Sequence, residues 1–219
     1  MSSDPSDGDG HRPEHGLQRL IFFSDGVIAI AITLLVIEIH PPHLPWQAPD
    51  VAYVQALLDL LPNFVGFFIS FFVIAAFWAG HHRAFECAEH WHESLTMPNM
   101  LFLSSIAALP FFTSFTADNP GARVPVTLYC GWLLVIALLN MRLQRMVTTA
   151  PIVDEDVPAD RIMLIRQRGA SVALGAATGI VVSVIAPVVG QVALASIPLW
   201  RRALTAGAAR RARRLQNAN

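Results

Sequence analysis

Arg19-Leu20-Ile21-Phe22-Phe23-Ser24-Asp25-Gly26-Val27-Ile28-Ala29-Ile30-Ala31-Ile32-Thr33-Leu34-Leu35-Val36-Ile37-Glu38 carries a single charge, Asp25, between its two charged ends. Coiled as an α-helix, a run of this length rises about 30 Å, the thickness of the hydrocarbon layer of a membrane. It is the centre of the first of several apolar blocks, at 17–39, 57–80, 98–116 and 124–143, followed by a charge-free stretch at 169–200. The whole chain of 219 residues is 54% hydrophobic and 14% charged, against about 25% charged in ordinary soluble domains. Its mean hydropathy is +0.49. The sequence describes an all-α polytopic membrane protein.

Consecutive prolines in His40-Pro41-Pro42-His43-Leu44-Pro45 stop the first block, because proline lacks the donor a helix needs. Asp118-Asn119-Pro120-Gly121 is a turn signal that stops the third. The stretch 169–200 would be about 48 Å long as one helix, too long for one upright crossing. Pro187 and Gly190 provide a break, giving two short helices and six spans in all. Charge placement supports six. All 15 basic residues are arginines, and twelve of them cluster at Arg83, at Arg142, Arg145, Arg161, Arg166 and Arg168, and from Arg201 to Arg214. Six crossings put every arginine-rich segment in the cytosol with both termini inside, whereas five would strand the arginine-dense end outside. The expected organisation is a disordered cytoplasmic tail at 1–16, a six-helix transmembrane unit at 17–201 and a basic cytoplasmic tail at 202–219, in a cell membrane.

Several function classes are excluded. A formal net charge of -1, with arginines confined to short loops and the chain end, leaves no continuous basic surface for nucleic acid. Cys87 and Cys130 form neither a disulfide framework nor a metal knuckle and read as free thiols. The first fifteen residues are rich in Ser, Asp, Gly and Pro and lack the pattern of a signal peptide.

At about 100° per residue, Gly26, Ile30, Leu34 and Ile37 fall on one narrow helical stripe with Thr33 beside it, while Asp25 points about 140° away from Ile30, towards neighbouring helices. A stripe that is small at one end and bulky further out suits a helix-helix seam and equally a pore narrowed by an apolar collar. Ionisable groups at membrane depth mark a pathway or an internal lock, and Arg19 and Asp25 read as a lock. With the inferred orientation Arg19, Ser24, Asp25, Trp78, His81, His82 and Asn99 gather at the cytoplasmic side, where a buried hydrogen-bond network would hold helix positions.

Arg19-x-x-x-Phe23-Ser24-Asp25-Gly26, Trp78-x-x-His81-His82-Arg83, and Asn99 followed by Leu109-Pro110-Phe111 resemble bacterial members of the endosomal/lysosomal potassium channel family, also called transmembrane protein 175. The resemblance implies six helices per repeat and, for a single-repeat chain, a homotetramer with the first helices lining a K+-permeable pore. It implies no reentrant filter and a constriction of apolar side chains at Ile30, Leu34 and Ile37, with Thr33 also at the ion path. It further implies a packing network of Arg19, Ser24, Asp25, Trp78, His81 and Asn99, with Phe23 and Gly26 in the same motif. K+ is then the permeant ion and no cofactor is needed. Selectivity for K+ over Na+ should be modest, since the sequence has no Thr-Val-Gly-Tyr-Gly loop.

Other readings compete. The segment from His81 to Glu93, with His90, His92, Cys87, Glu86 and Glu89, could bind metal or sense pH. An amphipathic cytoplasmic extension of the second helix accounts for it better. A histidine-metal membrane enzyme would need about eight ligands on one side, and His11, His15, His40 and His43 lie elsewhere. The expectation is therefore no metal site and no catalytic residue. The alternative to a channel is a proton-coupled transporter or a non-conducting scaffold using the same polar network, with membrane lipids as partners either way.

Overall fold

The computed structural model describes residues 11–216. Nine α-helices follow one another: α1 (His11–Ile37), α2 (Asp50–Asp59), α3 (Leu61–Phe85), α4 (Thr96–Ala107), α5 (Leu109–Ala117), α6 (Arg123–Val147), α7 (Ala159–Ile185), α8 (Pro187–Gly190) and α9 (Ile197–Gln216), among the described residues. Two short 3-10 turns, Glu93–Leu95 and Val192–Ser196, complete the order. Helices are what a lipid environment demands, because a backbone in hydrocarbon must satisfy its own hydrogen bonds. Three of the breaks coincide with prolines: Pro62 in the first turn of α3, Pro110 in that of α5 and Pro187 opening α8. A ring at that point removes a donor that a first turn does not use, so the helix restarts at little cost.

Five helical stretches among the described residues are long and apolar enough to cross a membrane: His15–Ile37, Asp50–Phe85, Glu93–Ala117, Arg123–Val147 and Ala159–Ile185. This is one fewer than the six expected. The difference lies after α7, where Pro187 breaks the apolar stretch into α8, a 3-10 turn and the start of α9, none a continuous apolar helix. That segment nevertheless runs back along α7. A Cβ at Gly190 would meet Cβ of Ser183 at 2.7 Å, a Cβ at Gly175 would overlap Ile197, and Arg201 lines a cavity with Gly169. The partners on α7 descend from 183 to 169 as the chain advances, so the return is antiparallel. Gly175 and Gly179, four apart, allow close approach on two sides: a Cβ on Gly179 would lie 3.4 Å from the Gly190 carbonyl oxygen of the returning segment and 2.9 Å from Sγ of Cys130 on α6.

Two expectations are corrected. Helix α1 is helical from the first described residue, His11, so residues 11–16, expected in a disordered tail, are helical, and 1–10 lie outside the described residues. Helix α3 stops at Phe85 instead of continuing through His92. Beyond it Ala88 forms an antiparallel bridge with Val153, the Glu89 amide donates to the Ile152 carbonyl at 3.0 Å, and the Asp154 amide donates to the Cys87 carbonyl at 2.9 Å. Arg161 closes this clamp on Glu86 at 2.8 Å. Past the end of α3 the backbone groups thus find their partners in a second segment instead of in a continued helical ladder. Cys87 is enclosed by the clamp, and burial raises its pKa above the ordinary thiol value.

In the main core cluster Phe77, Phe102, Ile106, Tyr129, Leu133 and Ile136 interlock α3, α4 and α6, and a smaller cluster gathers Ala84, Cys87 and Ile165. Within the main cluster Ser70 shares hydrogen bonds with Thr113 at 2.7 Å and with Tyr129 at 3.0 Å. Many large apolar side chains face outward, among them Phe68, Phe72 and Phe111. That would be an aggregation hazard in water and is the expected surface in lipid.

Candidate functional site

Helix α1 has two faces. Leu17, Leu20, Ser24, Ile28, Ala31 and Leu35 are buried, recurring every three or four residues, and the helix packs on α3, α4 and α5. Gly26, Ile30, Thr33, Leu34 and Ile37 form the other face. Ile30 is 60% and Ile37 65% exposed, and a Cβ placed on Gly26 would meet nothing within 4 Å. Thr33 donates its hydroxyl to the Ile30 carbonyl at 2.8 Å, leaving the oxygen lone pairs outward.

Two adjacent residues fix the buried face. Ser24, fully enclosed, donates to the Leu20 carbonyl at 2.8 Å. Its proton being used, its oxygen accepts from Nδ2 of Asn99 at 2.9 Å. That orients the amide so that Oδ1 of Asn99 accepts from Nε2 of His81 at 2.9 Å. Nε2 therefore carries a proton, and the imidazole stacks on Phe85 and Phe102 with centroids 4.4 and 5.5 Å away. One turn earlier on α3, Nε1 of Trp78 donates to Oδ1 of Asp25 at 2.8 Å. Ser24 and Asp25 differ by about 100° around α1, so one reaches α4 and the other α3. Three helices are thus tied by three side-chain hydrogen bonds, one of them to a carboxylate, a stronger type than a neutral pair.

The neighbouring histidines divide. His81 is inside the network, whereas His82 stacks on Trp78 and pairs with Glu86 at 3.3 Å. Arg19 does not join: it is exposed, six residues and about 9 Å of helix rise before Asp25. It lines a groove with Phe23, itself exposed, and Trp91. The remaining imidazoles are dispersed, with His90 beside Glu89 and His92 bonded to Ser94. Among the described residues no three His, Cys, Asp or Glu side chains converge as a metal site would require. The Ser70, Thr113 and Tyr129 cluster was missed by sequence reasoning, although hydroxyls at membrane depth on three blocks were a usable signal.

Fold and site together define a polytopic helical membrane protein whose first helix is bound on one face and bare on the other. The sequence profile described as Endosomal/lysosomal potassium channel TMEM175 matches residues 19–110, the span that carries the network. A potassium channel of Streptomyces collinus is 32% identical over 155 residues, 68% of this chain and 74% of that one. A potassium channel of Chamaesiphon minutus is 38% identical over 135 residues, 60% of this chain. The chain spans just under two thirds, 66%, of that relative. The crystal structure of a lysosomal potassium-selective channel TMEM175 homolog from Chamaesiphon minutus superposes with a TM-score of 0.72 at 28% identity, covering 88% of this chain and 97% of that one. The chain belongs to the TMEM175 family, one of ion channels and not of enzymes.

Proposed function

We propose that the protein is a K+-permeable cation channel of the cell membrane, built from four copies with α1 of each lining a central path. The observation that supports this most is the bare stripe of α1, opposite a face held by hydrogen bonds. An ordinary packing seam would find its partner within the chain, and among the described residues this one has none. Four copies would bring Ile30, Leu34 and Ile37 together as an apolar neck, with Thr33 beside it and Gly26 leaving room at one end. Such a neck imposes a dehydration barrier that K+ crosses more readily than the more strongly hydrated Na+, giving modest selectivity without a carbonyl filter. Ser24, Asp25, Trp78, His81 and Asn99 hold the lining helix in place, and Arg19, Phe23 and Gly26 belong to the same motif. The returning segment after α7 serves as a sixth crossing and keeps both ends on the arginine-rich, cytoplasmic side, with 17–201 as the channel unit.

The test is K+-driven flux in liposomes containing purified wild-type protein, beside Ile30→Asn and empty vesicles. A polar collar lowers the dehydration barrier, so Ile30→Asn raises flux, on the order of tenfold for each 1.4 kcal/mol of barrier removed, and weakens discrimination against Na+. Absence of flux from a folded tetramer would overturn the channel reading and reduce the stripe to packing residues.

A further inference from the structure

At the arginine-rich end of the bundle a cavity of about 390 Å³ opens between α3, α6, α7 and α9. Arg83, Arg168 and Arg201 line it, and among the described residues no carboxylate does. Arg83 feels Arg168 and Arg201 as like charges, and the opposite charge near it, Glu86, is engaged by Arg161 at 2.8 Å and His82 at 3.3 Å. Three guanidinium groups around one cavity repel one another, an arrangement that costs stability unless an anion shares it. Deeper in the same cavity Asn140 and Gln144 are only 4% and 3% exposed. Nε of Arg168 is a buried donor without an acceptor, and Oδ1 of Asn140 and Oε1 of Gln144 are buried acceptors without donors. Buried polar atoms of this kind are rare unless a ligand or water completes them.

We propose that this cavity binds a phosphate ester that also carries hydroxyl groups. The phosphate sits among Arg83, Arg168 and Arg201, whose planar forks match phosphate oxygens. Hydroxyls donate to the orphan carbonyl oxygens of Asn140 and Gln144. The size falls within the ordinary range for small-ligand sites, about 300–1,000 Å³. Two sources present this chemistry at the end of a membrane bundle: the headgroup of a glycerol-bearing anionic lipid and a soluble phosphorylated polyol.

Thermal unfolding of the purified full-length chain in nonionic detergent tests this, with short-chain phosphatidylglycerol, short-chain phosphatidylcholine, glycerol 3-phosphate or inorganic phosphate added. Phosphatidylglycerol should raise the unfolding temperature and phosphatidylcholine should not. Arg168→Gln combined with Arg201→Gln should weaken the half-saturating concentration on the order of tenfold. Asn140→Asp, nearly the same size, supplies the missing carboxylate internally. It should raise the stability of the ligand-free protein and abolish the response, which a variant that merely misfolds would not do. A response to glycerol 3-phosphate equal to that of phosphatidylglycerol assigns the site to soluble ligands, and a response to the lipid alone assigns it to the headgroup. The proposal is overturned if phosphatidylglycerol and phosphatidylcholine act alike, or if the wild type and Asn140→Asp respond alike.

Discussion

The buried and bare faces of α1 are built from nearly the same residues, yet they differ in every neighbour. Leu35 is 1% exposed and its neighbour in sequence, Leu34, is 39% exposed. Hydropathy does not separate them, since lipid, protein core and an apolar neck all accept leucine. Polarity does. Ser24 and Asp25 point to α4 and α3, and whatever lies opposite is left for something outside the chain. In a membrane the few polar side chains, more than the many apolar ones, decide how a helix is rotated.

The comparison can be broken most severely at Asn99. Asn99→Leu leaves Nε2 of His81 without an acceptor in a dry core, and should cost about 2–3 kcal/mol of stability, read as an earlier loss of fold in detergent melting. The two faces are then compared directly. Leu35→Ala should cost about 2 kcal/mol through the cavity it leaves, while Leu34→Ala should change the melting of the single chain by less than about 0.5 kcal/mol. Equal losses would mean that α1 is rotated differently from the structure. Trp78→Phe keeps the ring against His82 and removes the donor to Asp25. It should cost about 1 kcal/mol, since the carboxylate is only half-buried and can take up water. Asp25→Asn sharpens the functional side: the amide still accepts from Trp78, so flux in liposomes should stay within about twofold, a difference below ~0.5 kcal/mol. Abolished flux from an intact assembly would instead favour proton-coupled transport.

Much of this was legible in sequence because it depends on local periodicity. The stripe at Gly26, Ile30, Leu34 and Ile37 follows from about 100° per residue, and the break at Pro187 from a missing donor. Arg19 was misplaced because charge and proximity in sequence suggested a lock, whereas helix rise carries it about 9 Å from Asp25. The end of α3 at Phe85 was not legible either. It depends on the bridge between Ala88 and Val153, two residues far apart in the chain whose meeting no local pattern announces.

Composition and block length alone determined that this chain belongs in a bilayer and is helical, because hydrocarbon admits no unsatisfied backbone. The period of α1 alone determined which of its residues share a face. Only the tertiary structure decided that one face is bare and that His81, not His82, reaches Asn99. It likewise decided that Arg83, Arg168 and Arg201, spread over three helices, surround one cavity. Periodicity acts within a helix, whereas these outcomes depend on how helices cross, and that is set by long-range packing and by the few hydrogen bonds that span it.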